Sequence, residues 1–411
     1  MNRLGVIKWT AMALAAALMS ACSSSNVVRV PTQLETLNST LTIERNWQVQ
    51  LNAMPNYAGN GLAFAQDQKA VFTADAQGLI SAFKKANQSR WTDQVIWQSR
   101  FDEKVVSGPT YFDGQLVVGT AKGKVVALSA DRGEVLWQTQ LSSEVLSRPV
   151  FARQKLFTRT VDGHLYALDA TNGQVVWVTE HQIPNLSLRG SAPVLYDRGV
   201  LYVGWETGKI EAISAESGVS LWESRIAIPS GRTDLERMVD VQAALVLKND
   251  RLIALGYQGK LAALNLENGN LYFAQDVSGY RDFVADDQAI YVVDEDDVLH
   301  AFDLSNGTKL WSQVGLKYRN LADLIFYQDK LLAIDGYGYL HWLNKTHGTI
   351  VARAKHSNDF GDENIVLDAL AQDDTLYLLD NKGGVNSYHV MPSDLVDKYA
   401  LTDSGVKRGQ E

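Results

Sequence analysis

Cysteine is almost missing: there is one, Cys22, among 411 residues. A single thiol excludes an intramolecular disulfide and any metal site built from several cysteines. Proline is scarce too, at eight, which with 46% hydrophobic residues argues against a disordered chain. Lysine and arginine form no run and no basic helix, and the formal net charge is −9. Attachment to nucleic acid by phosphate neutralisation is thereby disfavoured, and so is an acidic partner surface.

Motifs for chemistry are missing as well. The seven histidines, His164, His181, His300, His341, His347, His356 and His389, show no His-Glu-x-x-His or comparable metal-ligand spacing. There is no Gly-x-Ser-x-Gly elbow, no phosphate loop and no dinucleotide fingerprint. The acidic run Asp294-Glu295-Asp296-Asp297 lacks the alternating ligands and central glycine of a calcium loop, and reads as a solvated hairpin turn. No catalytic residue, cofactor or metal is expected.

What is present begins with sixteen Tyr, twelve Phe and ten Trp beside many Val, Leu and Ile, a bias toward strands. At the N-terminus, Arg3 and Lys8 precede an apolar run, 10–19, and then small residues, the layout of a secretory signal peptide. The run is shorter than the ~20 apolar residues a bilayer-spanning helix needs. Met19-Ser20-Ala21-Cys22 resembles a bacterial lipobox, which implies cleavage between Ala21 and Cys22 and lipidation of Cys22. Ser23, where sorting signals for retention carry Asp, then implies anchoring in the outer membrane with the protein facing the periplasm. Residues 1–21 are thus read as signal peptide and 22–42, polar and aperiodic, as a lipidated tether.

The stretch GHLYALDATNGQVVW, residues 163–177, recurs as GKVVALSADRGEVLW, GKIEAISAESGVSLW, GKLAALNLENGNLYF and DVLHAFDLSNGTKLW. Aligned on the last position, the copies end at Trp97, Trp137, Trp177, Trp222, Phe273, Trp311 and a degenerate Val351-Ala352, at intervals near 40 to 50 residues. Such a period marks a propeller or a solenoid. Within residues 149–180, four short runs of strand-like alternation are separated by turn pairs such as Asp162-Gly163 and Asn172-Gly173, which makes one four-stranded blade. The first copy departs from the pattern: nineteen residues separate Gly78 from Trp97, implying an insertion around 84–92.

The two ends complement each other. The last unit runs to Val390 without a closing Trp strand, while Trp47 sits in an orphan strand at the start. Pairing the first strand with the last three protects both edges and closes a ring. The expectation is an all-β, eight-bladed β-propeller of four-stranded blades over 43–391, closed by its N-terminal strand and followed by a tail, 392–411.

The frame from Ala167-Leu168-Asp169 through Gly173 to Trp177 resembles the repeat of the pyrroloquinoline-quinone dehydrogenases. With the lipobox and the blade count, 43–391 resembles the lipoprotein propeller subunits of the outer-membrane β-barrel assembly machinery. That resemblance implies a non-catalytic scaffold, monomeric within its complex, that docks on the periplasmic POTRA domains of BamA and assists folding and insertion of outer-membrane proteins. Direct capture of unfolded outer-membrane proteins by strand addition to a blade edge is a second mode. The dehydrogenases are longer, and many use an adjacent cysteine pair that Cys22 alone cannot supply. A quinoprotein oxidoreductase and a periplasmic ligand-binding propeller stand as alternatives.

Function on a repetitive scaffold belongs where the repeat is interrupted. In 183–190, Leu186 and Leu188 lie beside Pro184 and Arg189, and fit either an exposed hot spot or an inward-facing first strand. In 228–241 mixed charges without periodicity read as a solvated loop. The resemblance assigns Leu186, Leu188, Arg189 and Asp240 to the surface for BamA, although the second acidic residue the family tends to carry two positions on is here Gln242.

Overall fold

The computed structural model describes residues 29–52, 54, 61–85, 94–188, 192–357 and 364–394. The chain divides into units 1–31 and 32–411, and of the first only 29–31 are described. Ala21 and Cys22, most of the insertion in the first copy, and 395–411 lie outside the described residues.

Unit 32–411 is built from eight antiparallel four-stranded sheets, the blades of a β-propeller. Blades 1 to 7 take their four strands consecutively, over 65–100, 105–140, 150–180, 195–225, 246–275, 284–313 and 325–355. Blade 2 gains a fifth, two-residue strand, Gly61–Leu62, which runs parallel to Val105–Phe112. Blade 8 has only Val366–Gln372, Thr375–Asp380 and Gly384–Pro392 of its own, and its outer strand is Leu41–Gln50. Pairing runs from Leu41 opposite Pro392 to Gln50 opposite Gly384, so the chain's first strand closes the ring.

Burial follows from the architecture. Middle strands such as Lys155–Arg159 and His164–Asp169 are covered on both faces by neighbouring blades, and four successive residues of each are buried. Outer strands such as Val175–Glu180 alternate between exposed and half-buried positions. The repeated Trp and Gly belong to one device. The indole N–H of Trp97, Trp137, Trp177, Trp222 and Trp311 donates to a carbonyl of the next blade, at Ala130, Ala170, Ala215, Leu266 and Lys345, over 2.8 to 3.2 Å. The ring rests on that blade's turn glycine: a Cβ on Gly173 would lie 2.4 Å from Trp137, and one on Gly348 2.4 Å from Trp311. These glycines also hold φ near +70°, which Cβ-bearing residues adopt at a cost. Phe273 stacks on Gly307 in the same way, so the aromatic residues join blades.

The junction of blades 7 and 8 has no such lock, because Ala352 stands in the Trp position, paired with Trp342 where the other blades pair their aromatic residue with Ala. There the segment expected to be a free tether is bound instead. Thr40 donates through N–H and Oγ1 to the carbonyl of Val351, the N–H of Arg353 donates to Ser39 Oγ, and Arg353 Nη1 donates to the carbonyl of Glu35 at 2.7 Å. Thr32 is held likewise by Lys317 and Arg319. Backbone groups of 32–40 thus find partners on the propeller, which a solvated tether would leave to water.

Candidate functional site

Blade 4 carries an aromatic residue where the other blades open their second hairpin on Asp, Thr or Gly. In blades 1, 6, 7 and 8 the second hairpin opens on an Asp, namely Asp75, Asp294, Asp335 and Asp380, whose Oδ1 accepts two backbone N–H groups of the turn. Blade 4 has Trp205 at this place. Its ring stacks on the His181 imidazole at 3.9 Å and has the Arg159 guanidinium over it at 4.4 Å. The Trp205 indole donates to Glu211 Oε2 at 3.0 Å, and His181 Nε2 is 2.9 Å from the same oxygen. Burial pushes the Glu211 carboxyl up, but hydrogen bonds from His181, Ser220 and Trp205 and the charge of His181 outweigh it and hold the group below its ordinary value.

Beneath this stack lies a second buried group of charges. Arg159 Nη2 meets Glu206 Oε1 at 2.7 Å, with both side chains almost fully buried, and Arg159 Nη1 donates to the carbonyl of Gly204 at 2.9 Å. Asp240, 1% exposed, lies close enough to feel both. Burial, reinforced by the negative charge of Glu206 and only partly offset by Arg159, pushes its carboxyl up to about 7. Its Oδ2 accepts the backbone N–H of Leu188 at 3.1 Å, and its own carbonyl accepts the N–H of Tyr257 at 2.8 Å.

Two interruptions of the repeat therefore meet over blade 4. Segments 181–188 and 226–241 bound a cleft of about 520 Å³, with Ile183, Pro184 and Leu186 on one side, Pro229, Arg237 and Val239 on the other, and Trp205 among the lining residues. Leu186 is 41% exposed and Leu188 half-buried. Neither lies in a strand, since the first strand of blade 4 begins at Leu195, so the inward-strand alternative does not hold. Arg189 lies outside the described residues. Asp240 does not sit at a solvated surface as expected: it is buried and acts on Leu188.

Segment 226–241 is also more ordered than its mixed charges imply. The N–H of Glu236 donates to Thr233 Oγ1, and the N–H groups of Thr233 and Arg232 donate to Glu236 Oε2, at 3.2, 3.2 and 2.7 Å. This is a capping box around a single turn, legible as Thr233-Asp234-Leu235-Glu236. Sequence reasoning missed Arg159, His181, Trp205 and Glu206 as a group; the available signal was a Trp at a turn position where the other blades carry Asp, Thr or Gly. The acidic run is likewise not wholly solvated. Asp294 binds its own turn and His300, while Asp297, 5% exposed, holds φ 61° and pairs with Arg281 at 2.9 Å. Among the described residues no group of three or more His, Cys, Asp or Glu could hold a metal ion.

Residues 76–313 match the family described as outer membrane protein assembly factor BamB. Curated proteins of that name are similar over most of their length. The one from Kangiella koreensis is 38% identical over 87% of this chain and 91% of its own. The one from Escherichia coli is 34% identical over 89% and 96%, and that from Legionella pneumophila 40% identical over 78% and 81%. Among solved structures, BamB from Moraxella catarrhalis superposes with a TM-score of 0.74 at 24% identity, covering 84% of this chain and 99% of that one. A europium-containing methanol dehydrogenase superposes with a TM-score of 0.65 at 13% identity over 82% and 84%, a likeness of fold alone.

Proposed function

Because the chain belongs to the BamB family of outer membrane protein assembly factors, we propose that it acts there as a non-catalytic scaffold, anchored by a lipid on Cys22 and docked on the periplasmic POTRA domains of BamA. The docking face is the rim of blade 4, where Leu186 and Leu188 are presented, and Arg189, next in the sequence, is assigned to it. Asp240 serves this face from below as a positioning residue. The observation that carries the reading is Leu186: a large apolar side chain left 41% exposed on a segment that interrupts the repeat, next to a pre-formed cleft. His181, Glu211 and Trp205 are engaged with one another and brace the cleft, which fits a structural use of these groups.

The test is capture of purified POTRA domains by the full chain. Leu186→Asp is expected to abolish capture with the melting temperature unchanged, and wild-type capture by this variant would sink the assignment. For the anchor, Cys22→Ser is expected to release the protein from membranes into the soluble periplasmic fraction. Retention without attached lipid would count against lipidation as the anchor.

A further inference from the structure

The cleft beside Leu186 has two chemically different parts. Ile183, Pro184, Leu186 and Pro229 give it apolar walls, and nearby Ile228 is 73% exposed. Its lining also includes Arg225 and Arg237, both exposed. Among the described residues neither forms an ion pair, and Arg225 Nη1 donates only to the carbonyl of Thr207, at 3.3 Å. The other charges here are matched, Lys209 to Glu223 at 2.7 Å and His181 to Glu211 at 2.9 Å. A chain of net charge −9 thus leaves two unmatched guanidinium groups at one apolar cleft, the reverse of what its overall charge leads one to expect of a partner surface.

The arrangement is also set before any partner arrives. The capping box of Thr233 and Glu236 orders the turn that carries Arg237, and the stacked Trp205 stiffens the lining. Pre-ordering lowers the entropic cost of association. A planar guanidinium matches a carboxylate by paired hydrogen bonds, which a generic positive field does not require.

We propose that this cleft receives an extended segment of the partner protein that carries a carboxylate beside an aliphatic or aromatic side chain. The carboxylate meets Arg225 and Arg237, and the apolar side chain seats against Pro184, Leu186 and Pro229. This deepens the reading of the face as the POTRA-docking surface, and rests on it.

The experiment is titration of the full chain with purified BamA POTRA domains at low and high salt. Arg225→Gln and Arg237→Gln are each expected to weaken binding about tenfold at low salt, and together to flatten its salt dependence. Lys248→Gln removes a charge that pairs with Asp287 and does not line the cleft, and is expected to bind as wild type. Melting temperatures of all variants check folding. If Leu186→Asp abolishes binding while both arginine variants keep wild-type affinity and salt slope, the carboxylate inference is overturned and the docking reading stands. If Lys248→Gln weakens binding as much as the arginine variants do, the attraction is general charge and the inference is overturned. Wild-type binding by Leu186→Asp removes the docking reading and the inference with it.

Discussion

The backbone N–H of Leu188 donates to Oδ2 of Asp240 at 3.1 Å, so one hydrogen bond ties together the two segments that interrupt the repeat on either side of blade 4. The acceptor is held in a costly state. Asp240 is buried beside Glu206 with one guanidinium between two acids, and its carboxyl is pushed up to about 7.

A carboxyl raised in the folded state favours folding fully below its unfolded value, near 4, and loses that contribution as pH rises through about 7. Asp240→Asn keeps an oxygen acceptor for the Leu188 N–H and removes the titration. Relative to wild type, the variant is expected to gain stability as pH rises from 5 to 8, by up to roughly 2–3 kcal/mol, since part of the linkage has already been lost below pH 5. Urea unfolding at both pH values reads this directly. A stability difference that does not vary with pH would show that Asp240 titrates as an ordinary surface carboxyl.

The blade lock yields graded expectations. Trp137→Phe keeps a ring on Gly173 and loses the 3.1 Å bond to the Ala170 carbonyl, at a cost of about 1 kcal/mol. Phe273 on Gly307 is the chain's own precedent for this substitution. Trp137→Ala empties the joint and is expected to cost about 3–5 kcal/mol. Gly173→Ala places a methyl 2.4 Å from the ring at φ +74° and is expected to cost more than Trp137→Phe. Equal losses for Phe and Ala at position 137 would mean that the ring's packing contributes little beyond its hydrogen bond.

The ring itself was legible in the residues because each blade repeats its punctuation. Gly163, Gly173 and Trp177 mark turn, turn and joint, and the mismatched ends at Trp47 and Val390 specify closure. The site was legible only as a place. Leu186 and Leu188 stood out as an interruption, but their exposure depends on where Asp240 pulls the chain, a contact across 52 residues. Arg159, Glu206 and Asp240 come from segments that precede, form and follow blade 4, and no local pattern relates them. Aperiodic polarity misled at 32–40, where Arg319 and Arg353 supply partners that only the folded ring brings near.

His356 works in the opposite direction from Asp240. Burial, together with the positive charge of Arg45 and despite the opposing charge of Asp335, pushes its imidazole down to about 4. A histidine depressed in the folded state stabilises above its unfolded value, near 6.5, and that contribution is lost as pH falls through about 4. His356→Leu is expected to flatten the loss of unfolding free energy between pH 6.5 and pH 4, by at most about 3 kcal/mol, as read by urea unfolding. An unchanged acid limb would assign acid sensitivity elsewhere.

The junction of blades 7 and 8 gives the last expectation. Six other joints carry an aromatic ring on a glycine, whereas here Ala352 leaves the closing strand without an indole, and 32–40 lies across it. Arg353 holds that segment at two points, by its backbone N–H to Ser39 Oγ and by Nη1 to the carbonyl of Glu35, while Nε meets His341 Nδ1 at 3.2 Å. Arg353→Met keeps the aliphatic stem and the backbone bond but leaves the Glu35 carbonyl to water, at a cost of about 1–3 kcal/mol. The cost should appear locally first, because the segment can lift without opening a blade. Hydrogen exchange at Thr32 and Thr40, whose N–H groups bond to Lys317 and Val351, is expected to quicken in the variant while amides of Lys155–Arg159, in the centre of blade 3, keep their protection. Loss of protection in both places together would make the segment part of the global fold, and the joint between blades 7 and 8 would then need no separate clasp.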